Sequence, residues 1–109
     1  MARKVTWTES AWADLEEAAD YIARDSPYYA AGFVHEVREA ARVLISQSQI
    51  GRVVPELNNA GIRELIVRNY RLIYQIKENT VYIIGFIHGA RDLPALWNRE
   101  GQSRLEDAG

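Results

Sequence analysis

The sequence predicts an α+β fold in which an antiparallel helical hairpin packs on a twisted antiparallel β-sheet. Helical spacing of apolar residues runs through the first half of the chain, whereas residues 61–92 alternate apolar and polar side chains between short turn signals. Helices and strands are thus segregated along the chain, which favours α+β over a parallel α/β fold. The expected order is β-α-α-β-β-β, followed by a short C-terminal helix or tail. Because 109 residues suit one domain with one core, we place that domain at residues 1–92 and a tail at residues 93–109.

A short strand and two helices are predicted on the N-terminal side. Lys4–Trp7 has the pattern of a strand, which we expect at an edge of the sheet. Thr8 follows as a helix N-cap, because its hydroxyl can accept from the free N–H groups of the first turn, and the helix should end near Asp25. Ser26 and Pro27 then start a second helix that reaches about Ser46, since Ser caps well and Pro suits the first turn. A tight connection makes the two helices an antiparallel hairpin.

The second half of the chain is predicted to be a loop and a three-stranded meander. The loop covers residues 47–60, and the strands lie at about Ile62–Val67, Tyr70–Lys77 and Thr80–His88. Two-residue breaks between these strands are typical of antiparallel hairpins. A short helix is expected after Asp92, with Trp97 docking back on the domain, whereas residues 102–109 are expected to fray.

Composition excludes several kinds of site. The chain has no Cys and two His, His35 on a helix and His88 at a strand end, so neither a disulfide nor a zinc site is predicted. We expect no metal and no cofactor. The apolar runs are too short for a membrane span, and the N-terminus lacks the apolar segment of a signal peptide, so the expected location is cytoplasmic.

Charge is distributed unevenly along the chain. Residues 8–47 carry three Arg and eight acids, a net charge of −5, whereas residues 52–91 carry five Arg and one Lys against three acids, a net charge of +3. One interpretation is an anionic partner on the basic side. The other is that amphipathic helices simply carry acidic solvent faces.

Four cations interrupt the apolar strands, at Arg63, Arg71, His88 and Arg91. Uninterrupted alternation across a two-residue turn puts Arg71 opposite Phe86 and places Arg71 and His88 together on the face away from the helices. The facing of Arg63 depends on the length of the preceding turn, and Arg91 lies beyond the last strand. Such a cluster could bind phosphate and supply an acid or base through His88. In the alternative interpretation, Arg71 pairs with Glu64 across the hairpin and His88 only ends a strand.

Two further positions have competing interpretations. Glu56 is either a general base at the edge of the loop or a solvated loop acid. Trp12 and Phe33 lie at helical spacing among small and aliphatic residues, which favours core packing over a base-stacking platform.

Several segments in order carry a resemblance to a known family. They are VTWTESAWADLEEAADYIA, GRVVPEL, IREL, YRLIYQI and VYIIGFIHGARD, spread over residues 4–92. In these segments the chain resembles the RelE/ParE toxins of type II toxin–antitoxin systems, also known as plasmid stabilisation proteins. The resemblance implies the same helical hairpin on an antiparallel sheet.

The resemblance implies one of two activities. RelE-like members cut mRNA on the ribosome. Resemblance to them would make Arg71 the catalytic arginine, Glu56 a base, and His88 the counterpart of a C-terminal His or Tyr. ParE-like members poison DNA gyrase, and Arg63, Arg71 and Arg91 would then contact the target. The wording of IREL, YRLIYQI and FIHGARD is more similar to the ParE branch. A pI near 5.7 and only two Lys also suit ribosomal RNA poorly, because such binding neutralises many phosphates. We therefore expect a non-enzymatic gyrase poison, with a ribosome-dependent endoribonuclease and an inactive antitoxin-binding relative as alternatives.

The resemblance also implies a cognate antitoxin, encoded next to this chain, whose disordered segment wraps the domain. We expect it to contact Trp12, Phe33 and Val37 around the helical hairpin. Operator DNA would be bound only through the antitoxin, no membrane is involved, and the assembly could be a dimer or a hetero-oligomer with the antitoxin.

Overall fold

The computed structural model describes residues 2–109, and these form three helices and five strands. The helices are α1 (Glu9–Ala23), α2 (Pro27–Val43) and α3 (Leu93–Glu106). The strands are β1 (Lys4–Trp7), β2 (Arg52–Val53), β3 (Ile62–Val67), β4 (Tyr70–Lys77) and β5 (Thr80–His88). None of the helices in this described part is both long and apolar enough to cross a membrane.

The strands form one sheet in the order β1-β5-β4-β3-β2. β1 runs parallel to β5, and the other neighbours are antiparallel. The predicted fold class is confirmed, and β1 lies at an edge as expected. The sequence did not predict β2, because a two-residue strand inside a loop leaves no periodic pattern.

The predicted helix caps are present. The Thr8 hydroxyl accepts from the Ala11 N–H at 3.2 Å, and the Ser26 hydroxyl accepts from the Tyr29 N–H at 3.2 Å. Thr8 also donates to the Ile83 carbonyl at 3.1 Å, so the cap ties the start of α1 to the sheet. Capping residues of this kind each stabilise a helix by about 1 kcal/mol.

The sheet has two covered faces. The hairpin face packs against α1 and α2, and its buried core includes Leu15, Phe33, Val37, Leu72, Tyr74, Ile83 and Phe86. The far face packs against α3 and the loop after β2, and its buried core includes Val54, Ile62, Ile73, Ile84, Ile87, Leu93 and Leu96. The face that the sequence left open is therefore partly covered by α3.

A β-bulge in β5 changes which residues share a face. Tyr74 pairs with Ile83, but Ile73 pairs with Gly85, so Ile84 is an extra residue in β5. Beyond this point Arg71 lies opposite Ile87 instead of Phe86. One inserted residue reverses the alternation, and the predicted pairing of Arg71 with Phe86 is therefore wrong.

The expectation that residues 102–109 fray is also wrong. α3 continues to Glu106, Arg104 is only 5% exposed, and Ala108 is 0% exposed within the far-face core. The Asp92 carboxylate caps α3 by accepting from the Ala95 N–H at 3.1 Å, and Trp97 docks on the far-face core as predicted. Tertiary contacts order this segment, and its local sequence pattern does not predict that order.

Candidate functional site

Arg71 lies on the far face of β4 and is bound by two carboxylates. Its Nε donates to Glu64 at 2.6 Å, and its two terminal nitrogens donate to the two oxygens of Glu56 at 2.7 and 2.6 Å. The guanidinium is buried between them. The predicted alternative in which Arg71 pairs with Glu64 is therefore present, and Glu56 joins the pair from the loop after β2.

Glu64 connects this pair to the edge of the sheet. It lies on β3 with its side chain fully buried, and its second oxygen accepts from the Nε of Arg52 on β2 at 2.7 Å. Arg52 lies directly opposite Glu64 in the ladder, where opposite charges stabilise a strand pair. We call the four residues Arg52, Glu56, Glu64 and Arg71 the ion-pair network, and their formal charges sum to zero.

Glu56 and Arg71 shift each other's pKa toward the charged form. The Arg71 guanidinium, through its hydrogen bonds, lowers the pKa of the Glu56 carboxyl although partial burial opposes the shift. The hydrogen bonds that Arg71 donates to Glu56, followed by the one to Glu64, raise the pKa of Arg71 against its own burial. Three of its five N–H groups already donate to carboxylates. Arg71 is thus not a free cation for a substrate in this arrangement.

The structure places His88 on the other face from Arg71. His88 lies opposite Tyr70 and packs edge-on against that ring, with 5.1 Å between the ring centres. The ring borders a cleft of about 340 Å³ between α1 and the end of β5, and Arg91 lines the same cleft. The predicted shared face of Arg71 and His88 is therefore wrong, because the bulge at Ile84 reverses the alternation.

The hydrogen bonds of His88 define its neutral form. Its Nδ1 accepts from the Ala90 N–H at 3.0 Å, so the ring proton of the neutral form resides on Nε2. The Asn69 Nδ2 lies 3.0 Å from Nε2, and a flip of this amide would bring its oxygen there to accept that proton. His88 is exposed, and its ring is fixed by these two neighbours.

Arg63 faces the helical hairpin side. The turn at Arg68 and Asn69 has two residues, and Arg63 pairs with Tyr74, whose side chain belongs to the hairpin-face core. Its guanidinium donates to the Gly51 carbonyl at 2.7 Å. The predicted cations Arg63, Arg71, His88 and Arg91 are therefore divided between the two faces and do not form one cluster.

Of the three hairpin residues expected to contact a partner, one is accessible. Phe33 and Val37 are buried in the hairpin-face core, so their side chains do not reach the surface. Trp12 is 41% exposed and packs edge-on against Trp7 at 5.7 Å. A contact between Trp12 and a partner stays a prediction.

A second buried arginine was missed by sequence reasoning. Arg104 of α3 donates to both oxygens of Asp14 on α1, at 2.7 and 3.2 Å, and to the Ile84 carbonyl at 2.8 Å. Asp14 in turn accepts from the Phe86 N–H at 3.0 Å. These two backbone groups, the Ile84 carbonyl and the Phe86 N–H, flank Gly85 in the bulged segment. Arg104 and Asp14 therefore form hydrogen bonds with polar groups that a regular ladder would pair. An interior Gly in β5 was the only local sign of the bulge.

No metal site accompanies these networks in the described residues. Within residues 2–109, no group of three or more His, Asp or Glu side chains is placed to hold a metal ion. The network's carboxylates point at arginines, which already neutralise them.

Comparison with known families identifies the domain. A family model described as the ParE toxin of type II toxin-antitoxin system, parDE, matches residues 5–93. The chain belongs to this family. The predicted RelE/ParE resemblance is confirmed, and the protein is a toxin of the RelE/ParE superfamily of type II toxin–antitoxin systems.

Individual relatives come from both named branches. Toxin RelE2 of Caulobacter vibrioides is 35% identical over 89 residues, which cover 81% of this chain and 97% of that protein. A chain of the chromosomal ParDE toxin–antitoxin system from P. aeruginosa is 22% identical with a TM-score of 0.68, over 80% of this chain and 96% of its own. A chain of the RelBE2 toxin–antitoxin complex from Mycobacterium tuberculosis is 25% identical with a TM-score of 0.59, over 81% of this chain and 99% of its own.

The matched region of the family model does not include most of α3. Each relative is covered almost completely, whereas about a fifth of this chain has no counterpart in it. The family model stops at residue 93, where α3 begins. Arg52, Glu56, Glu64 and Arg71 lie inside the matched region, and the α3 anchor Arg104 lies outside it.

Proposed function

We propose that this toxin inhibits growth without enzymatic activity, by poisoning DNA gyrase, and that a cognate antitoxin neutralises it. The proposal rests mainly on one observation: the Arg71 guanidinium nitrogens donate to two carboxylates, with N···O distances of 2.6–2.7 Å. A nuclease of this superfamily would use that arginine on the transition state, and here it is held by Glu56 and Glu64. The ParE family model supports the same choice.

The distribution of the remaining groups also favours a non-enzymatic toxin. General acid–base catalysis needs a proton-transfer group and a charge-stabilising group that converge on one reacting centre. His88 and Arg71 lie on opposite faces of the sheet, and Glu56 is engaged by Arg71. The ion-pair network is neutral overall, so it attracts an RNA backbone weakly.

An antitoxin partner is supported by surfaces beside the hairpin. The two solved relatives come from systems described as ParDE and as the RelBE2 complex. In this chain a groove of about 570 Å³ runs between β1 and α2, lined by Val5, Trp7, Val34, Arg38, Arg42 and Ile45. Since β1 is the last strand of the sheet, its outer edge is open to a partner strand. We propose that the antitoxin occupies this groove and reaches Trp12.

A ribosome-dependent endoribonuclease is the second candidate. It is favoured by the name RelE2 of the 35% identical relative. It is also favoured by the partial exposure of Glu56, because one carboxylate of the ion-pair network is then in contact with solvent. In this candidate the network would have to open before Arg71 could act.

Induced expression without antitoxin separates the candidates. A gyrase poison should raise the SOS response and trap gyrase on cleaved DNA while transcripts stay intact. Fragmented mRNA with intact DNA would overturn the gyrase proposal in favour of the nuclease, and harmless expression of folded protein would indicate an inactive relative.

Two separate histidine substitutions help to distinguish the gyrase poison from the nuclease. His88→Ala should leave toxicity unchanged for a gyrase poison and should suppress mRNA cleavage for a nuclease that uses this group. His35→Ala is the matched control, because His35 is an exposed residue on α2 far in sequence from the strand ends. Neither side chain is buried, so both variants should fold.

A further inference from the structure

We propose that the antitoxin segment bound between β1 and α2 is an extended strand whose acidic side chains pair with Arg38 and Arg42. The inference rests on the proposed antitoxin partnership, and it adds the conformation and the charge of the bound segment. It is supported by the open edge of β1, by the cations on one side of α2, and by a reversal of charge beyond Trp7.

The outer edge of β1 offers backbone groups to a partner at two residues. The N–H groups of Lys4 and Thr8 donate toward β5, to backbone carbonyls of that strand and of the turn before it, at 2.8 and 3.0 Å. Successive residues of a strand direct their N–H and C=O groups to alternate sides. Val5 and Trp7 therefore direct theirs away from β5, and β1 is the last strand of the sheet in residues 2–109. An extended partner would satisfy these groups.

This open stretch of β1 is short. Before it, the Arg3 N–H donates to the Ile45 carbonyl at 2.8 Å, so the segment after α2 closes the edge there. After it, the chain turns into α1 at the cap residue Thr8. Backbone pairing gives a bound strand affinity for any sequence, whereas side-chain contacts select among sequences. Because so little backbone is open, the side chains along the groove have to supply most of the selectivity.

The α2 side of the groove is cationic, although the surrounding sequence is acidic. Residues 8–47 carry three Arg and eight acids, and two of those three Arg, Arg38 and Arg42, line the groove. They are four positions apart on a helix, so they lie next to each other on one side of α2. In the part of the chain that the structure describes, Glu39 is the one acid among the lining residues.

Both groove arginines are available to a partner. Arg42 approaches Glu39 at 3.5 Å, but 72% of its side chain is exposed, and a surface pair of this kind contributes little. Arg38 is exposed, and within residues 2–109 no carboxylate forms a salt bridge with it. Arg71 and Arg104, in contrast, are buried and bound by carboxylates of the fold itself. Acidic side chains of a partner would therefore meet cations that the fold leaves free.

The charge reverses on the other side of Trp7. A second depression begins at this residue and is also lined by Trp12, Glu9 and Glu16, which are its charged and large aromatic groups in the described chain. An acidic side chain placed there would be repelled by both glutamates. The acidic residues of the bound strand should therefore lie against α2 and stop short of Trp12, and like-charge repulsion would disfavour a shifted register.

The inference is tested by calorimetric titration of the purified product of the adjacent gene into the wild type, Arg38→Glu and Arg99→Glu. Arg99 is the matched control, because it is also exposed within a helix but lies on α3, on the far side of the sheet. Arg38→Glu should raise the Kd by about tenfold or more, whereas Arg99→Glu should stay within about twofold of the wild type. The loss in Arg38→Glu should shrink as salt is added, since salt screens exposed charges but does not repair a packing defect.

The tryptophans report where the antitoxin binds. The indole N–H signals of Trp7 and Trp12 should shift in NMR spectra of the complex, whereas that of Trp97, which packs on the far-face core, should not. A shift confined to Trp97 would overturn the inference. So would shifts of the Trp7 and Trp12 signals that grow with protein concentration without antitoxin, because a second copy of this chain would then occupy the groove.

Hydrogen exchange tests the extended conformation. The amides of Val5 and Trp7 should gain protection in the complex, because a paired strand accepts from them. Those of Lys4 and Thr8 should change little, since they already donate toward β5. A bound helix would cover the groove without pairing with the edge, so unchanged exchange at Val5 and Trp7 would overturn the strand assignment.

Failure of this inference is distinct from failure of the proposed function. No binding to the wild type would overturn the antitoxin partnership and the inference together. Tight binding that Arg38→Glu leaves unchanged, or that Arg99→Glu weakens equally, would overturn the inference and leave the partnership intact.

Discussion

The hairpin face of the sheet is closed by apolar side chains from two helices, whereas the far face is closed by one helix and by buried arginines. Phe33, Leu15 and their neighbours fill the hairpin face with apolar side chains. On the far face Arg104 anchors α3 to Asp14, and Arg71 holds the loop of Glu56. Apolar packing tolerates changes of similar volume, but a buried ion pair depends on each partner, since the remaining charge is left unpaired in the interior. The far face is thus the more sensitive to single substitutions and to pH.

The largest effect is expected from Arg104→Ala. The substitution removes the anchor of α3, leaves the Ile84 carbonyl without this donor, and leaves Asp14 with the Phe86 N–H but without a neutralising cation. Breaking a buried pair in this way should lower the free energy of unfolding by about 3–5 kcal/mol. Urea unfolding measures the loss. Arg99→Ala, at an exposed position on the same helix, should stay within about 0.5 kcal/mol of the wild type, and an equal loss in both variants would contradict the anchoring role.

Two leucines compare the faces directly. Leu15 and Leu96 are each 1% exposed, one in the hairpin-face core and one in the far-face core. Each Leu→Ala change should cost about 2–5 kcal/mol through the cavity it leaves. We expect Leu15→Ala to weaken the whole domain and Leu96→Ala to release α3 locally. Hydrogen exchange checks this: in Leu96→Ala the amides of α3 should lose protection while those of α1 keep it, and uniform loss in both variants would erase the distinction.

Acid should weaken the far face through Glu56. The pKa of Glu56 is lowered from its ordinary value of 4.5 by the hydrogen bonds from Arg71. A carboxyl with a lowered folded-state pKa stabilises the fold above its unfolded pKa, and this contribution disappears as pH falls through the folded-state pKa. The wild type should therefore exceed Glu56→Gln in stability at pH 6 by no more than about 1 kcal/mol, since the group is a third exposed and screened. Unfolding measured from pH 6 downward should show this difference begin to fall near pH 4.5 and disappear once the pH is below the folded-state pKa, and a difference that does not change with pH would argue against the ion pair as its cause.

The smallest effect is expected from the ion pair on the hairpin side. Glu36 and Arg68 bind through several contacts, but both side chains are about half exposed. Glu36→Gln should lower the free energy of unfolding by about 0.2–1 kcal/mol, because water and salt screen such a pair. Denaturant melts at low and at high salt provide the measurement. A loss as large as that of Arg104→Ala would mean that the hairpin face also relies on charge.

Much of the candidate site lay beyond what sequence patterns predict. The facing of Arg63 followed from a two-residue turn, which the sequence offered as one of two possibilities. The facing of His88 did not follow, because a single bulge residue, Ile84, reverses the alternation and leaves only Gly85 as a local sign. The roles of Arg52 and Arg104 arise from partners 12 and 90 positions away in the chain, which no local period reveals.

Sequence patterns were enough to predict the order of the elements apart from β2, the helix caps at Thr8 and Ser26, the hairpin face and the RelE/ParE resemblance. Those features depend on residues near one another in the chain, where spacing and residue type act directly on local structure. Two features became visible only in the folded chain: α3 covers the far face, and Arg71 is held by both Glu64 and Glu56. Both features depend on ion pairs between distant residues and on the register shift in β5. Such contacts form only when segments far apart in the chain pack together.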